Sequence, residues 1–233
     1  MDAVTRQRDY YESTAEQYDT MHVGAEEHGC ALALMSFAIR SLGIRSVLDV
    51  GAGTGQALLT LKKAHPDVRL VGIDPVKGMR EQGYRKGLRP DELIEGDAQS
   101  LNFQDGAFDL VCAFGVLHHV PNPRTAVGEM LRVAKRSIFI SDANNFGQGS
   151  APVRFAKQAL RSLRLWGLAD FIKTRGKGYT ISEGDGLAYS YSIFDDYPQI
   201  SIACREVRLF AMTPSGPNLY RTCGQVAVLG IKN

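Results

Sequence analysis

Residues 47–55 read VLDVGAGTG, an apolar run that breaks into three glycines at alternate positions, and QALLTLKKAH follows with helical spacing. A glycine-rich turn between a strand and a helix lets the backbone approach a ligand closely and points helix-terminal N–H groups at it. This one feature constrains the fold to a βα unit with something bound above the turn.

The chain repeats the unit. VRLVGID (68–74), ELIEGD (92–97), AFDLVCAFG (107–115) and KRSIFISD (135–142) read as strands. PVKGMREQGYRK opens on Pro75 at a plausible first helical position, and a helix is expected over 124–133. Such alternation predicts a parallel sheet wrapped by helices on both faces. Ahead of it stand a polar helix carrying Tyr10, Tyr11 and Tyr18, then an apolar helix over 26–42 ended by Gly43. After Asp142 the pattern breaks into a basic helix-like segment (VRFAKQALRSLRLW), a turn (TRGKGYT) and short strand-like pieces around Ile181 and Tyr189. EVRLFAMT and GQVAVLGIK, joined by TPSGPNLYRTC, predict an antiparallel hairpin. The expected organisation is an N-terminal helical lid (1–43), a cofactor-binding core (44–142), an inserted substrate cap (143–193), and a C-terminal helix and hairpin completing the sheet (194–233).

Composition narrows the function classes. The 233 residues carry 27 Lys and Arg against 25 Asp and Glu, so bulk charge gives no case for nucleic acid. Cys30, Cys112, Cys204 and Cys223 are scattered without a C-x-x-C pair or a histidine at ligand spacing, which argues against a zinc site and a disulfide framework. No metal is expected. The opening residues lack the basic patch and apolar run of a signal peptide, and no apolar stretch approaches the ~20 residues of a membrane span. A cytoplasmic protein without a transmembrane segment is the expectation.

Three ligands suit a glycine loop of this kind, and the neighbours discriminate between them. A P-loop needs G-x-x-x-x-G-K-[ST], but Gly55 is followed by Gln56 and Ala57 with no lysine. A dinucleotide fingerprint needs G-x-G-x-x-G, and its third glycine falls on Gln56; the pattern here is G-x-G-x-G. Asp74, ending the second strand, suits any ribose diol, while Asp97, ending the third, is placed for an adenine amino group.

VLDVGAGTG, VGIDP, GDAQSL and FDLVCAFGVLHHV, in that order, resemble the motifs of class I S-adenosylmethionine-dependent methyltransferases, small-molecule branch. The likeness covers roughly residues 44–142 and, by topology, the final hairpin. It implies a Rossmann-like α/β fold: a seven-stranded sheet with helices on both faces, an antiparallel last strand and a cap inserted before the closing hairpin. It also implies the cofactor S-adenosyl-L-methionine. By that resemblance Gly51, Ala52 and Gly53 pass beneath the methionine part, Gly55 allows the tight turn, and Asp49 anchors the loop or reaches the amino group. Asp74, with Pro75 after it, holds the ribose hydroxyls; Asp97 and the Ala98 N–H meet the adenine; Phe114 faces the sulfonium. Tyr18 lies in a segment resembling a lid.

A sulfonium methyl is already activated, so the protein supplies alignment, water exclusion and, for some acceptors, proton removal. His119 and His118 follow the fourth strand and are the candidate bases for a hydroxyl acceptor. Arg154, Lys157, Arg161 and Arg164 repeat at three and four, which predicts one basic helix face for an anionic acceptor or a membrane surface, if not simply a solvated face. EGDGLAYSYS (183–192) brings Glu183, Asp185, Tyr189 and Tyr191 together as readers of hydroxyls. The reading is a methyltransferase acting at oxygen of a small anionic, glycan-linked or natural-product-like acceptor, free to form a homo-oligomer. The place after the fourth strand reads AFGVLHHV, without the Asn/Asp-Pro-Pro-Tyr/Phe tetrapeptide of DNA adenine methylation, so no DNA partner is expected. The alternatives are an idle S-adenosylmethionine-binding sensor or partner subunit, and an NAD(P)-dependent oxidoreductase.

Overall fold

A computed structural model describes residues 2–21, 26–182 and 184–233. Three helices lead in: α1 (Ala3–Thr14), α2 (Tyr18–Met21) and α3 (Glu26–Ser41). Then β1 (Ser46–Val50), α4 (Gln56–Ala64), β2 (Arg69–Asp74), α5 (Lys77–Arg85), β3 (Leu93–Glu95), β4 (Phe108–Phe114), α6 (Pro123–Val133) and β5 (Ala134–Ala143) alternate as the sequence predicts. The cap contains α7 (Ala151–Ser162), α8 (Trp166–Lys173), β6 (Tyr179–Ser182) and β7 (Gly186–Tyr189). The chain closes through α9 (Ile193–Ala203), β8 (Glu206–Ala211), α10 (Leu219–Thr222) and β9 (Gln225–Ile231).

Seven strands form one sheet in the order β3-β2-β1-β4-β5-β9-β8. The first five are parallel, and β9 runs antiparallel between β5 and β8. The central strand SVLDV is apolar on both faces because both are covered. On one face Leu48 and Val50 pack with Ile73, Val111, Ile138 and α6; on the other Val47 packs with Ala31, Met35 and Ala38 of α3. Strand order reverses between β1 and β4, so the crevice beyond their carboxyl ends is where such a sheet binds ligands.

The cap differs from the sequence reading at one point. Residues 153–166 were expected as one helix, but Arg164 adopts φ 60° and divides it into α7 and α8. Arg164 leaves the stripe, and the three basic residues that remain on α7 are each tied to neighbouring groups. Lys157 donates to the carbonyls of Asn145 (2.6 Å) and Gln148 (3.3 Å), Arg161 pairs with Asp195 and lies over the Phe146 ring, and Arg154 donates to the Gly149 carbonyl.

Gly55 shows how tightly the βα turn is built. It sits at φ 74°, and a Cβ there would stand 2.2 Å from Leu88 Cδ1. Left-handed backbone costs an L-residue about 1–2 kcal/mol and overpacking about 1–3 kcal/mol more. Gly55→Ala is expected to lower the melting temperature by roughly 5–15 °C, using ~2–4 °C per kcal/mol for a domain of this size; an unchanged melting curve contradicts the packing described.

Candidate functional site

The glycine loop is held from two sides. Gly51 and Ala52 N–H groups both donate to the Ile73 carbonyl (2.9 Å each), and Gly53 N–H donates to Asp74 Oδ2 (2.9 Å). At Gly51, φ 73°, a Cβ would lie 2.6 Å from Val116. The resemblance put the methionine part over Gly51, where the structure packs Val116 close, while Gly55, read as the tight turn, has positive φ with Leu88 against it. Ala52 packs with Leu58, Leu88 and Leu93 beneath the turn. Gly51 and Gly53 alone of the loop border the cleft.

That cleft, with the solvent at its mouth, spans about 880 Å³. From β1, β2 and the loops after β3 and β4 come Gly51, Gly53, Asp74, Pro75, Asp97, Ala98 and Phe114; Tyr18 and the α1 residues Gln7, Arg8 and Tyr11 close it from above. Asp74 accepts from Gly53 N–H and, through Oδ1, from Val76 N–H (2.9 Å). Burial outweighs these donors and raises its carboxyl to about 6. Asp97 accepts from Gln99 N–H (2.9 Å) and from Arg8 (3.0 Å), so the lid helix already grips the carboxylate expected to meet the adenine. Asp49 is buried beneath the loop and does not line the cleft; Cys112 Sγ reaches its Oδ1 at 3.6 Å, Oδ2 has no partner among the described residues, and burial raises the carboxyl to about 7. Asp74 at the cleft wall and the Asp97–Ala98 turn beside it fit a ligand that carries a diol next to an aromatic base, as S-adenosylmethionine does, whereas Asp49, shut off beneath the loop, anchors the turn rather than reaching the cleft.

A second cavity, spanning about 1040 Å³ with the solvent at its mouth, opens on the cap side. It shares Tyr18, Phe114, Gly115 and His119 with the cleft, so the two meet at the end of β4. Its wall is polar: Asn145, Gln148, Lys173, Thr180, Ser190 and Tyr189 face it. Tyr191 also borders it, but is buried with its hydroxyl donating to Asp196 (2.9 Å). Arg154 borders neither cavity, a correction to its assignment as an acceptor residue; its helix is turned so that the guanidinium caps the Gly149 carbonyl. Glu183 lies outside the described residues.

The histidines sit on a 3₁₀ turn (Leu117–His119) that Asp142, at the end of β5, holds in place. Asp142 Oδ2 accepts from Val116 (2.9 Å) and Leu117 (2.7 Å) N–H, and Oδ1 accepts from Ala143 N–H and His118 Nδ1 (2.7 Å each). His118 Nε2 faces Asp185 Oδ2 at 3.4 Å. Burial would lower the His118 pKa, yet Asp142 and Asp185 overcome it and raise it to about 10. His118 is therefore a poor proton acceptor at neutral pH, which corrects its candidacy as a base. His119 Nδ1 lies 2.7 Å from the Leu187 carbonyl and 3.1 Å from Gln7 Nε2, and Nε2 faces Asp185 Oδ1 at 3.3 Å. Tyr11, which also lines the cleft, meets the His119 ring edge-on at 5.7 Å.

Residues 48–140 match the family model described as a methyltransferase domain. A phosphatidylethanolamine N-methyltransferase of Cereibacter sphaeroides is 36% identical over 119 residues, 49% of this chain and 57% of that protein. A demethylmenaquinone methyltransferase of Renibacterium salmoninarum is 41% identical over 99 residues, 42% and 40% of the two chains. The chain thus spans about half the length of the curated relatives it matches. Among solved structures, magnesium protoporphyrin IX methyltransferase of Synechocystis PCC 6803 with bound S-adenosylhomocysteine superimposes over 100% of both chains, TM-score 0.65 at 17% identity, a likeness of fold. The G-x-G-x-G loop over a buried aspartate, the ordered acids along the sheet edge and the match over 48–140 agree: residues 48–140 are similar to a methyltransferase domain, and the chain has the fold of S-adenosylmethionine-dependent methyltransferases.

Proposed function

We propose that the protein moves a methyl group from S-adenosylmethionine to an oxygen of a small, hydroxyl-bearing acceptor, anionic or glycan-linked, seated in the second cavity. The observation that carries this is the meeting of the two cavities at Tyr18, Phe114, Gly115 and His119. Asp74 would hold the ribose, the Gly51–Gly53 backbone the methionine part, and the Asp97–Ala98 turn the adenine. The cofactor supplies an already activated methyl whose departure leaves a neutral thioether. The protein's own work is then to orient an acceptor oxygen at the junction, exclude water beneath α1, and let a hydroxyl proton leave. His119, bordering both cavities with Nδ1 held between the Leu187 carbonyl and the Gln7 amide, belongs to the group that handles that oxygen. Asn145, Gln148, Thr180 and Tyr189 are donors and acceptors suited to a polyol, and Lys173 supplies a cation.

The cap's outer face supports where such an acceptor is met. Phe155, Leu163, Leu165, Leu168, Phe171 and Ile172 are exposed on and between α7 and α8 beside Arg164, Arg175 and Lys177. An apolar face rimmed by cations suits an anionic membrane surface, and two relatives are named for lipid acceptors, phosphatidylethanolamine and demethylmenaquinone. Among the described residues no helix is long and apolar enough to cross a membrane, so the contact we read is peripheral.

Labelled S-adenosylmethionine, offered with hydroxylated acceptors in anionic and neutral forms, tests the assignment. Transfer to the anionic member, with Lys173→Ala raising KM about tenfold and changing kcat less, is the expected result, because loss of uniform binding appears in KM. Transfer that ignores acceptor charge and the variant alike contradicts the seat proposed.

A further inference from the structure

We propose that His118, His119 and Asp185 form a site for a divalent transition-metal ion at the mouth of the acceptor cavity. The inference rests on the methyltransferase reading and says how the acceptor oxygen would be prepared.

One ligand atom from each residue lies within 4.8 Å of the others. Both histidines turn Nε2 toward the same carboxylate: His118 at 3.4 Å from Oδ2 and His119 at 3.3 Å from Oδ1. A proton shared directly would draw such a pair to about 2.7–2.9 Å. The Nδ1 side of His118 shows that spacing, 2.7 Å to Asp142, so the longer contacts are specific to Asp185. Two ligands on a common tetrahedral zinc, each about 2.0–2.2 Å from it, stand about 3.4 Å apart. The separations suit a cation held between the groups better than hydrogen bonds joining them.

The outer partners point the same way. A metal-bound histidine almost always donates its other ring N–H to a carboxylate or a backbone carbonyl, which fixes tautomer and orientation. His118 has Asp142 on Nδ1, buried and held by three backbone N–H groups, and His119 has the Leu187 carbonyl at 2.7 Å. Both imidazoles turn Nε2 toward Asp185, and the proton that Asp142 and Asp185 hold on His118 would leave as the ion binds. Two imidazoles and one carboxylate favour zinc, cobalt, iron or nickel over magnesium and calcium, which take oxygen ligands. All three side chains line the acceptor cavity and His119 also borders the cofactor cleft, so the open side of the site faces the junction. A hydroxyl entering that position would lose its proton: the O–H bond breaks, the electron pair stays on the oxygen bound to the ion, and the proton passes to water. The sequence reading excluded zinc on cysteine spacing; this cluster contains no cysteine, and its carboxylate arrives from the cap.

Tag-free protein stripped with a chelator and titrated with Co²⁺, read by its visible absorption, and with Zn²⁺ by calorimetry, tests the site. One equivalent should bind saturably, and Asp185→Asn, on an exposed loop, should weaken binding at least about tenfold, as should His119→Gln, while S-adenosylhomocysteine still binds. Protein that binds S-adenosylhomocysteine but neither metal, or binds metal equally well in both variants, overturns the site and leaves the methyltransferase reading standing. Metal binding lost in both variants, in a protein that binds no adenosyl compound, upholds the site and overturns the reading it was attached to.

Discussion

Asp74→Ala is expected to weaken S-adenosylhomocysteine binding by at least about 100-fold in a calorimetric titration. Its carboxylate lines the cleft at the end of β2, where we propose that the ribose is held. Each hydrogen bond to a charged group contributes about 1.5–3 kcal/mol, and a diol makes two, so about 3 kcal/mol is the lower bound and about 1.4 kcal/mol is tenfold in affinity. The variant also releases Gly53 and Val76 N–H groups, so the loop loosens in the same direction. Acidity offers a second reading of the same residue. Burial raises the Asp74 carboxyl from 3.8 to about 6, and protonation removes one of its acceptor positions. Affinity should therefore fall as pH drops below about 6. The stability of the cofactor-free protein runs the other way: a raised folded-state value means that Asp74 contributes most below about 4 and loses that contribution as pH rises through about 6. Melting curves with and without ligand across pH 4–7 separate the two. A variant that binds within a few-fold of the parent contradicts the placement of the ribose.

The second large effect is expected at Asp142. Its carboxylate is fully buried, its pKa held below the ordinary range against burial by His118 and the Ala143 and Leu117 N–H groups, and it accepts four hydrogen bonds. Asp142→Ala leaves three backbone donors and a histidine without their partner in a dry site. Breaking a buried charged pair costs about 3–5 kcal/mol, or roughly 10 °C in melting temperature at this chain length. The 3₁₀ turn carrying both histidines would lose its anchor, so methyl transfer should fall further than S-adenosylhomocysteine affinity. Asp142→Asn keeps one acceptor oxygen and should lie between. If Asp142→Ala melts within about 2 °C of the parent, the anchoring role is wrong.

The parallel core was legible because its signals are local. Apolar strands buried on both faces, helix spacing and glycines at alternate positions each lie within ten residues, and β1, β2, β4 and β5 sit where the runs put them. Asp74, ending β2, and Asp97, two residues beyond the end of β3, carried a local signal too, and both line the cleft. Asp142 carries the same signal, an acid ending the apolar run SIFIS, yet its partner His118 comes from another strand's loop, and only the pairing of β4 with β5 joins them. Arg8, Gln7 and Tyr11 were missed as site residues because nothing in a polar amphipathic helix marks which turn folds over a cleft. The basic stripe misled in the opposite sense. Spacing places Arg154, Lys157 and Arg161 on a face, but spacing cannot show that the carbonyls of Asn145, Gln148 and Gly149 are waiting beneath it. The alternate glycines were right about the turn and only partly right about its cause: positive φ with Val116 and Leu88 packed close demands them at Gly51 and Gly55.

The account turns on what the cleft beneath α1 accepts. Calorimetric titration of S-adenosylmethionine, S-adenosylhomocysteine and NADH into the protein decides it most directly. Saturable binding of both adenosyl compounds with none of NADH is the predicted result; binding of NADH alone would contradict the central claim and move the cleft to dinucleotide chemistry.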